Sequence, residues 1–338
     1  MARSVEPFAG LPDNAGMTRY GYLLPTRGVV HASPDAETLA SRTESEIVGL
    51  AARAEALDYA HVWIGDSVLA KPRLEPMTTL AAVATATESV GLGTAVYLPT
   101  LRHPVNVAHL TATVDQLSGG RLSLGVGVGR RAAVRREYKN LGLEYERRGP
   151  RMDEVLEVVT ELWTGGSVAY DGDFFQLDDA SIGFSPVRSP PVYVPTSAPE
   201  PDESIPAPLL DRIVAHADGW MPNWCRPETY AAGLSEVRSA LTDAGQDPDR
   251  LDAAYYMDVA VGDDEAAAID TARDFYEAYY PGLNDLSDEE VRGRGTFGTP
   301  EMVAETLEAY AEAGVETMIV RFATTNQRVQ LDRFADLT

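Results

Sequence analysis

Short apolar runs recur along the chain at 18–25 (TRYGYLLP), 60–64 (AHVWI), 91–98 (GLGTAVYL), 121–126 (RLSLGV), 192–195 (VYVP), 219–222 (GWMP), 253–261 (AAYYMDVAV) and 316–322 (ETMIVRF). Their length and their β-branched and aromatic content predict strands. Between most of them the apolar positions change to a helical period. Ile47, Leu50, Ala51, Ala54 and Leu57 mark one such face, and Val303, Leu307, Tyr310, Ala311 and Gly314 another. Thr43-x-x-Glu46 reads as a capping box opening the first of these helices, and Thr299 with Pro300 as the N-cap and first residue of the second. Eight alternations with no Pro/Gly/Ser linker predict an α/β fold. A single domain over 1–338, built as a (β/α)8 TIM barrel, is favoured over an open doubly wound sheet. Two stretches interrupt the alternation: 164–191, which reads as an inserted hairpin, and 281–298, long and polar enough for a lid loop.

The fourth run passes into alternating glycines, RLSLGVGVGRR. A dinucleotide fingerprint needs a third glycine at the sixth position, where this chain has Arg130. The alternative is a strand end that keeps its backbone bare beside a flat or phosphorylated ligand. A barrel places its chemistry at the C-terminal ends of the strands. The candidates are then Pro25–Arg27, Gly65–Ser67, 95–100, Gly127–Arg130, Thr196–Ala198, Asn223 with Trp224, and Arg321–Ala323.

Charge narrows the partners. The chain has 52 Asp and Glu against 28 Lys and Arg, a formal net charge of -24. Such a surface repels phosphate backbones, which argues against nucleic-acid binding. Only Lys71 and Lys139 are lysines, a composition that suits an acidic proteome in a salty cytosol. The single cysteine, Cys225, and the absence of CxxC and HExxH spacing argue against disulfides and metal sites. No signal-peptide pattern and no apolar run of the roughly 18 residues a membrane span needs predict a cytoplasmic protein away from membranes.

The segments AHVWIGDS, VGLGTAVYLPTLRHPVNVAHLTATVDQLSGGRLSLGVGVG, YERRGPRMDEVLEVVTELWTG, PPVYVPTS, ADGWMP and GTPEMVAETLEAYAEAGVE resemble, in order and spacing, the bacterial luciferase-like family of flavin- and deazaflavin-dependent oxidoreductases. The resemblance spans roughly 18–335. It implies a (β/α)8 barrel, usually a homodimer, that binds FMN or coenzyme F420 at the strand C-termini and acts on a small molecule. It also implies a bulge after the third strand, often with a non-prolyl cis peptide. Carried over, the bulge falls at Ala95-Val96, followed by Leu98, and the catalytic ring-edge position at Asp66-Ser67. The backbone approach falls at Val128, Gly129 and Arg130, and the phosphate loop at Thr196, Ser197 and Ala198.

Many members have a histidine where this chain has Ser67, and a hydroxyl is a poor general base. The family's sugar-phosphate dehydrogenases use an acid near Arg130, and its tetrahydropterin reductases a glutamate near Leu23, so both activities are disfavoured. Between 130 and 151 there are eight basic residues and three acids. That patch favours polyanionic F420 over FMN. The expected function is hydride transfer between F420 and a small organic substrate. The alternatives are an FMN-dependent monooxygenase and a non-catalytic flavin-binding barrel. Among the histidines, His61 reads as packed, and His103 as able to face the cleft.

Overall fold

The computed structural model describes residues 17–129, 132–196, 204–280 and 285–338. Its strands are β1 (Arg19–Leu23), β2 (His61–Ile64), β3 (Gly91–Tyr97), β4 (Leu122–Val126), β5 (Val168–Asp171), β6 (Gln176–Ala180), β7 (Val192–Val194), β8 (Gly219–Trp220), β9 (Asp252–Val261), β10 (Gly295–Gly298) and β11 (Thr317–Phe322). All eight expected strands are present. They pair in parallel in the order β1-β2-β3-β4-β7-β8-β9-β11, and β11 returns to β1, so the sheet closes into a (β/α)8 barrel. Closure and the helices outside cover both faces, which is why β2, β4 and β11 read as continuous apolar runs rather than alternating ones. Among the described residues no helix is long and apolar enough to cross a membrane.

Inside the ring, Trp63 and Tyr193 pack with Leu23, Met221, Ala254 and Ile319. Glycines opposite make this possible: a Cβ on Gly93 would lie 2.1 Å from the Trp63 ring, and one on Gly219 2.2 Å from that of Tyr193. His61 is buried as expected. Burial, helped by the charges of Arg19 and Arg188, pushes its pKa down to about 3, so it packs as a neutral ring.

Two local readings change. The helical run that carries Ile47 and Leu50 starts at Ala36, not after Thr43. Its cap is Asp35, whose carboxylate accepts from Thr38 N at 2.7 Å. Thr43 lies within the helical run and donates to Leu39 O, while Glu46 pairs with Arg42, so both residues are satisfied without forming a box. Thr299 does cap its helix, with Pro300 next. Within 164–191, β5 and β6 form an antiparallel pair. Of the expected lid at 281–298, residues 281–284 lie outside the described residues. The remainder is ordered structure: a helix at Asp288–Arg292, capped by Ser287 and Glu290, then β10 laid in parallel against β9. Polar and glycine content suggested a loop there, but Gly295 serves close packing, since its Cβ would lie 1.9 Å from Asp258 O.

The glycines of β4 have a similar use. The pairing of β3 with β4 shifts register between Thr94 and Tyr97, and the Ala95-Val96 peptide bond within that bulge is cis. A Cβ on Gly125 would stand 2.0 Å from Thr94 O, and one on Gly127 2.6 Å from Val96 Cγ2. Gly129 has a left-handed φ of 69° and would meet Val134. The bare backbone lets β4 lie against the bulge. Gly125→Ala should therefore lower unfolding free energy by about 3 kcal/mol. The exposed control Gly166→Ala should stay within about 0.5 kcal/mol of wild type. Urea unfolding checks this, and equal midpoints for the two variants would remove the packing role.

Candidate active site

At the C-terminal ends of the strands is a cavity of about 510 Å³. Its floor is apolar, formed by Leu23, Ala95, Val96, Val126 and Met221. Of the residues expected at the site, Asp66, Ser67, Ala95, Val96, Leu98, Val128, Gly129 and Thr196 all line this one cavity. Arg130, Ser197 and Ala198 lie outside the described residues. His103 does not face the cleft. Its Nδ1 accepts from Val105 N to cap the helix Pro104–Ser118, and its ring meets Phe175 edge-on.

The two residues expected to be catalytic have their polar atoms engaged. Asp66 accepts from both terminal nitrogens of Arg102, at 2.6 and 3.1 Å, and from Leu98 N at 2.9 Å, which ties the end of β2 to the segment after the bulge. Its carboxylate is fully buried, so this bidentate pair is a structural tie. Ser67 Oγ donates to Glu137 at 3.3 Å and accepts from Lys71 N at 2.8 Å. The Ser67 hydroxyl hydrogen is thereby engaged, and one acceptor lone pair is left on Asp66 Oδ1 and one on Ser67 Oγ.

Glu137 is the main residue that sequence reasoning missed. It lies on the helix Ala132–Asn140, 1 % exposed. Its Oε1 accepts from the backbone N–H groups of Val68, Leu69 and Ala70 at 2.5, 2.5 and 3.2 Å. One carboxylate thereby folds the loop after β2 into the cavity wall, while its Oε2 has no hydrogen-bond partner among the described residues. In the sequence it was one acid inside a basic run, and nothing local linked it to residues seventy positions earlier.

That basic run is largely dispersed by the structure. Arg135 pairs with Glu146, Arg147 with Asp173, and Arg151 donates to Thr100 O beside Phe175. Of the described members, Arg148 reaches the cavity; its guanidinium rests on Tyr145, 3.9 Å from the ring centroid, and its Nε has no hydrogen-bond partner. In the same lining, Thr196 Oγ1 accepts from Trp220 Nε1 at 2.8 Å, which leaves the hydroxyl hydrogen available to donate.

The opposite wall is aromatic and cationic. Tyr256, Tyr279, Tyr280 and Arg321 line it. Arg321 is held by Asp258, with Nε to Oδ1 at 2.6 Å, and Asp258 also accepts from Tyr276 at 2.7 Å. The remaining Arg321 donor, Nη1, reaches Tyr280 Oη at 2.7 Å. Only the Arg321 end of this network stood among the strand-end candidates. Tyr280 carried no signal, because it arrives from the far end of the helix Glu265–Tyr279.

The luciferase-like monooxygenase family matches residues 18–317. The chain belongs to that family. It is 31% identical over 228 residues to the F420-dependent hydroxymycolic acid dehydrogenase of Mycobacterium tuberculosis, a match covering 66% of this chain and 61% of that relative. It is 26% identical over 301 residues to the 5,10-methylenetetrahydromethanopterin reductase of Archaeoglobus fulgidus, covering 79% and 86%. The fold matches an F420-dependent secondary alcohol dehydrogenase solved with an F420-acetone adduct, at TM-score 0.79 and 20% identity, over 95% of this chain and 98% of the other. A monooxygenase from Streptomyces bottropensis matches equally well, at TM-score 0.79 and 23% identity over 94% and 98%.

Removing the Glu137 carboxylate should loosen the wall. An unsatisfied buried donor costs about 1–3 kcal/mol, and water recovers part of this at the exposed Val68 and Leu69. Glu137→Ala should therefore lose about 2–4 kcal/mol in urea unfolding, and Glu137→Gln, which keeps one acceptor oxygen, clearly less. Wild-type stability in Glu137→Ala would show that the loop does not depend on this carboxylate.

Proposed function

We propose that the chain transfers a hydride between coenzyme F420 and a small organic substrate. The observation that carries this reading is the division of one cavity into an apolar floor and two polar ends. The floor at Leu23, Ala95, Val96 and Met221 suits a planar ring, and the Thr196 hydroxyl with the Arg148 guanidinium suits an anionic tail. The donor set therefore fits the group. F420 is favoured over FMN because the curated relatives named above include an F420-dependent enzyme.

When bound, F420 supplies a ring carbon that accepts or gives a hydride. The protein's own part is to orient, to exclude water and to handle one proton. Ala95 and Val96 support the ring from below, where the bulge leaves only small or β-branched side chains. Asp66 and Ser67 act as positioning residues through Arg102 and Glu137. The proton falls to Tyr280. Its oxygen already accepts from Arg321, so its hydrogen is left to donate to a substrate oxygen, and among the described residues no acceptor takes it. With the coenzyme bound, Tyr280 would give its proton to the oxygen of a carbonyl substrate as that oxygen gains the C=O π pair.

F420 fluorescence titrated against the protein, with FMN titrated in parallel, tests the cofactor. F420 should bind at least ten times more tightly. Tighter FMN binding, with oxygen consumption when the flavin is reduced, would replace this reading with a monooxygenase. Across a panel of alcohols and carbonyl compounds, Tyr280→Phe should lower kcat by about 100-fold or more with F420 affinity unchanged. An unchanged kcat would remove Tyr280 from the proton path.

A further inference from the structure

Many of the described arginines pair with a carboxylate. At the cavity, Arg321 is held by Asp258 and Arg212 by Asp153. Two guanidiniums beside the same wall are different. Arg27 follows β1 and is 5 % exposed, yet its Nε and Nη1 have no hydrogen-bond partner. It lies over the Tyr279 and Tyr280 rings, 4.2 and 5.3 Å from their centroids. Arg73 lines the cavity, and its buried Nε likewise has no partner. Among the described residues neither guanidinium forms an ion pair.

Their placement is specific. Arg73 Nη1 lies 2.0 Å from where a Cβ on Gly65 would stand, and Ala95 O is 3.6 Å from the same point. The guanidinium thus lies against the end of β2, beside the bulge that forms the floor. Lys71 Nζ adds a third positive charge, 5.5 Å from the Tyr280 ring centroid. Burial lowers the pKa of Arg27; Tyr279 and Tyr280 oppose that, and the neighbouring charge of Arg73 adds to it. Buried charges are ordinarily paired, and the ring faces offset only part of the cost of leaving two like charges together. The nearby acids do not compensate, because Asp66 is bound by Arg102 and Glu137 by the loop amides.

We infer that Arg73, which lines the cavity with Arg27 held nearby over the Tyr279 and Tyr280 rings, forms an oxyanion site for the organic substrate, so that the substrate carries a carboxylate or phosphate group. The inference rests on the hydride-transfer reading for the word substrate, but the site itself does not depend on it. In the ring order β1 and β2 stand first and second and β7 fifth. The cluster is therefore across the floor from Thr196, where the coenzyme phosphate is proposed to lie. An anion held here would sit beside Tyr280, within the same wall, with its reacting carbon over the floor. Planar guanidiniums match the paired oxygens of either group.

Inorganic phosphate is the probe, titrated by calorimetry into full-length wild type and Arg73→Gln at constant ionic strength, with and without saturating F420. F420 affinity of both proteins is read separately by fluorescence. Wild type should bind phosphate in the presence of F420, Arg73→Gln at least tenfold more weakly, and Arg73→Lys between the two, with F420 affinity within threefold throughout. Equal phosphate binding by wild type and a folded Arg73→Gln would overturn the site. F420 that displaces phosphate, together with weaker F420 binding by Arg73→Gln, would overturn the assignment to substrate and make the cluster a coenzyme anchor. Should F420 not bind at all, the cofactor reading fails, while the titration without it still decides whether the arginines hold an anion.

Discussion

The contact of β4 with the bulge of β3 is the constraint on which the site depends. Thr94 O and the Val96 side chain occupy the space that side chains at 125 and 127 would need, so glycine alone lets the two strands approach. The bulge in turn presents Ala95 and Val96 upward as a low, apolar floor, and Thr94 Oγ1 ties it back to Gly125 O at 2.8 Å. A pair of ordinary strands here would alternate large side chains into the mouth and close it. Size complementarity elsewhere in the ring, with glycines facing Trp63 and Tyr193, keeps the interior filled directly beneath. The flat surface is thus a consequence of backbone packing.

Charge is organised around that floor in three different ways. Asp66 with Arg102 and Asp258 with Arg321 are buried pairs in which each partner needs the other, since removing one partner of such a pair costs about 3–5 kcal/mol. Glu137 is neutralised by backbone donors instead of a cation. Arg148 and Arg73 line the cavity without an ion pair among the described residues, in a chain of net charge -24. A surface that repels anions generally and a cavity lined by cations would separate solubility from binding.

The barrel was legible because its signals are local and repeated: each strand carries its own apolar run, and each helix its own period. The positions of Asp66, Val96 and Thr196 around one mouth followed from that closure. Where reading failed, the deciding contact was distant. The Thr43-x-x-Glu46 string is the same whether it opens a helix or lies inside one, and the cap at Asp35 is settled by where the chain turns. The basic run after β4 looked like one patch, but Glu146 and Asp173 neutralise Arg135 and Arg147 individually. Glu137, Arg73 and Tyr280 reach the site from a helix, a loop and a helix end, with no spacing that relates them. Long-range side-chain pairing of this kind has no periodic signature.

The central claim is that the barrel mouth receives a planar redox coenzyme on the Ala95-Val96 floor. A crystal structure of the protein with F420 tests it most directly. The account predicts the ring lying over Ala95 and Val96, the phosphate within hydrogen-bond distance of Thr196 Oγ1 and Arg148, and Tyr280 on the open side of the ring. A ring bound away from that floor, or one whose phosphate lies at Arg27 and Arg73, would contradict it.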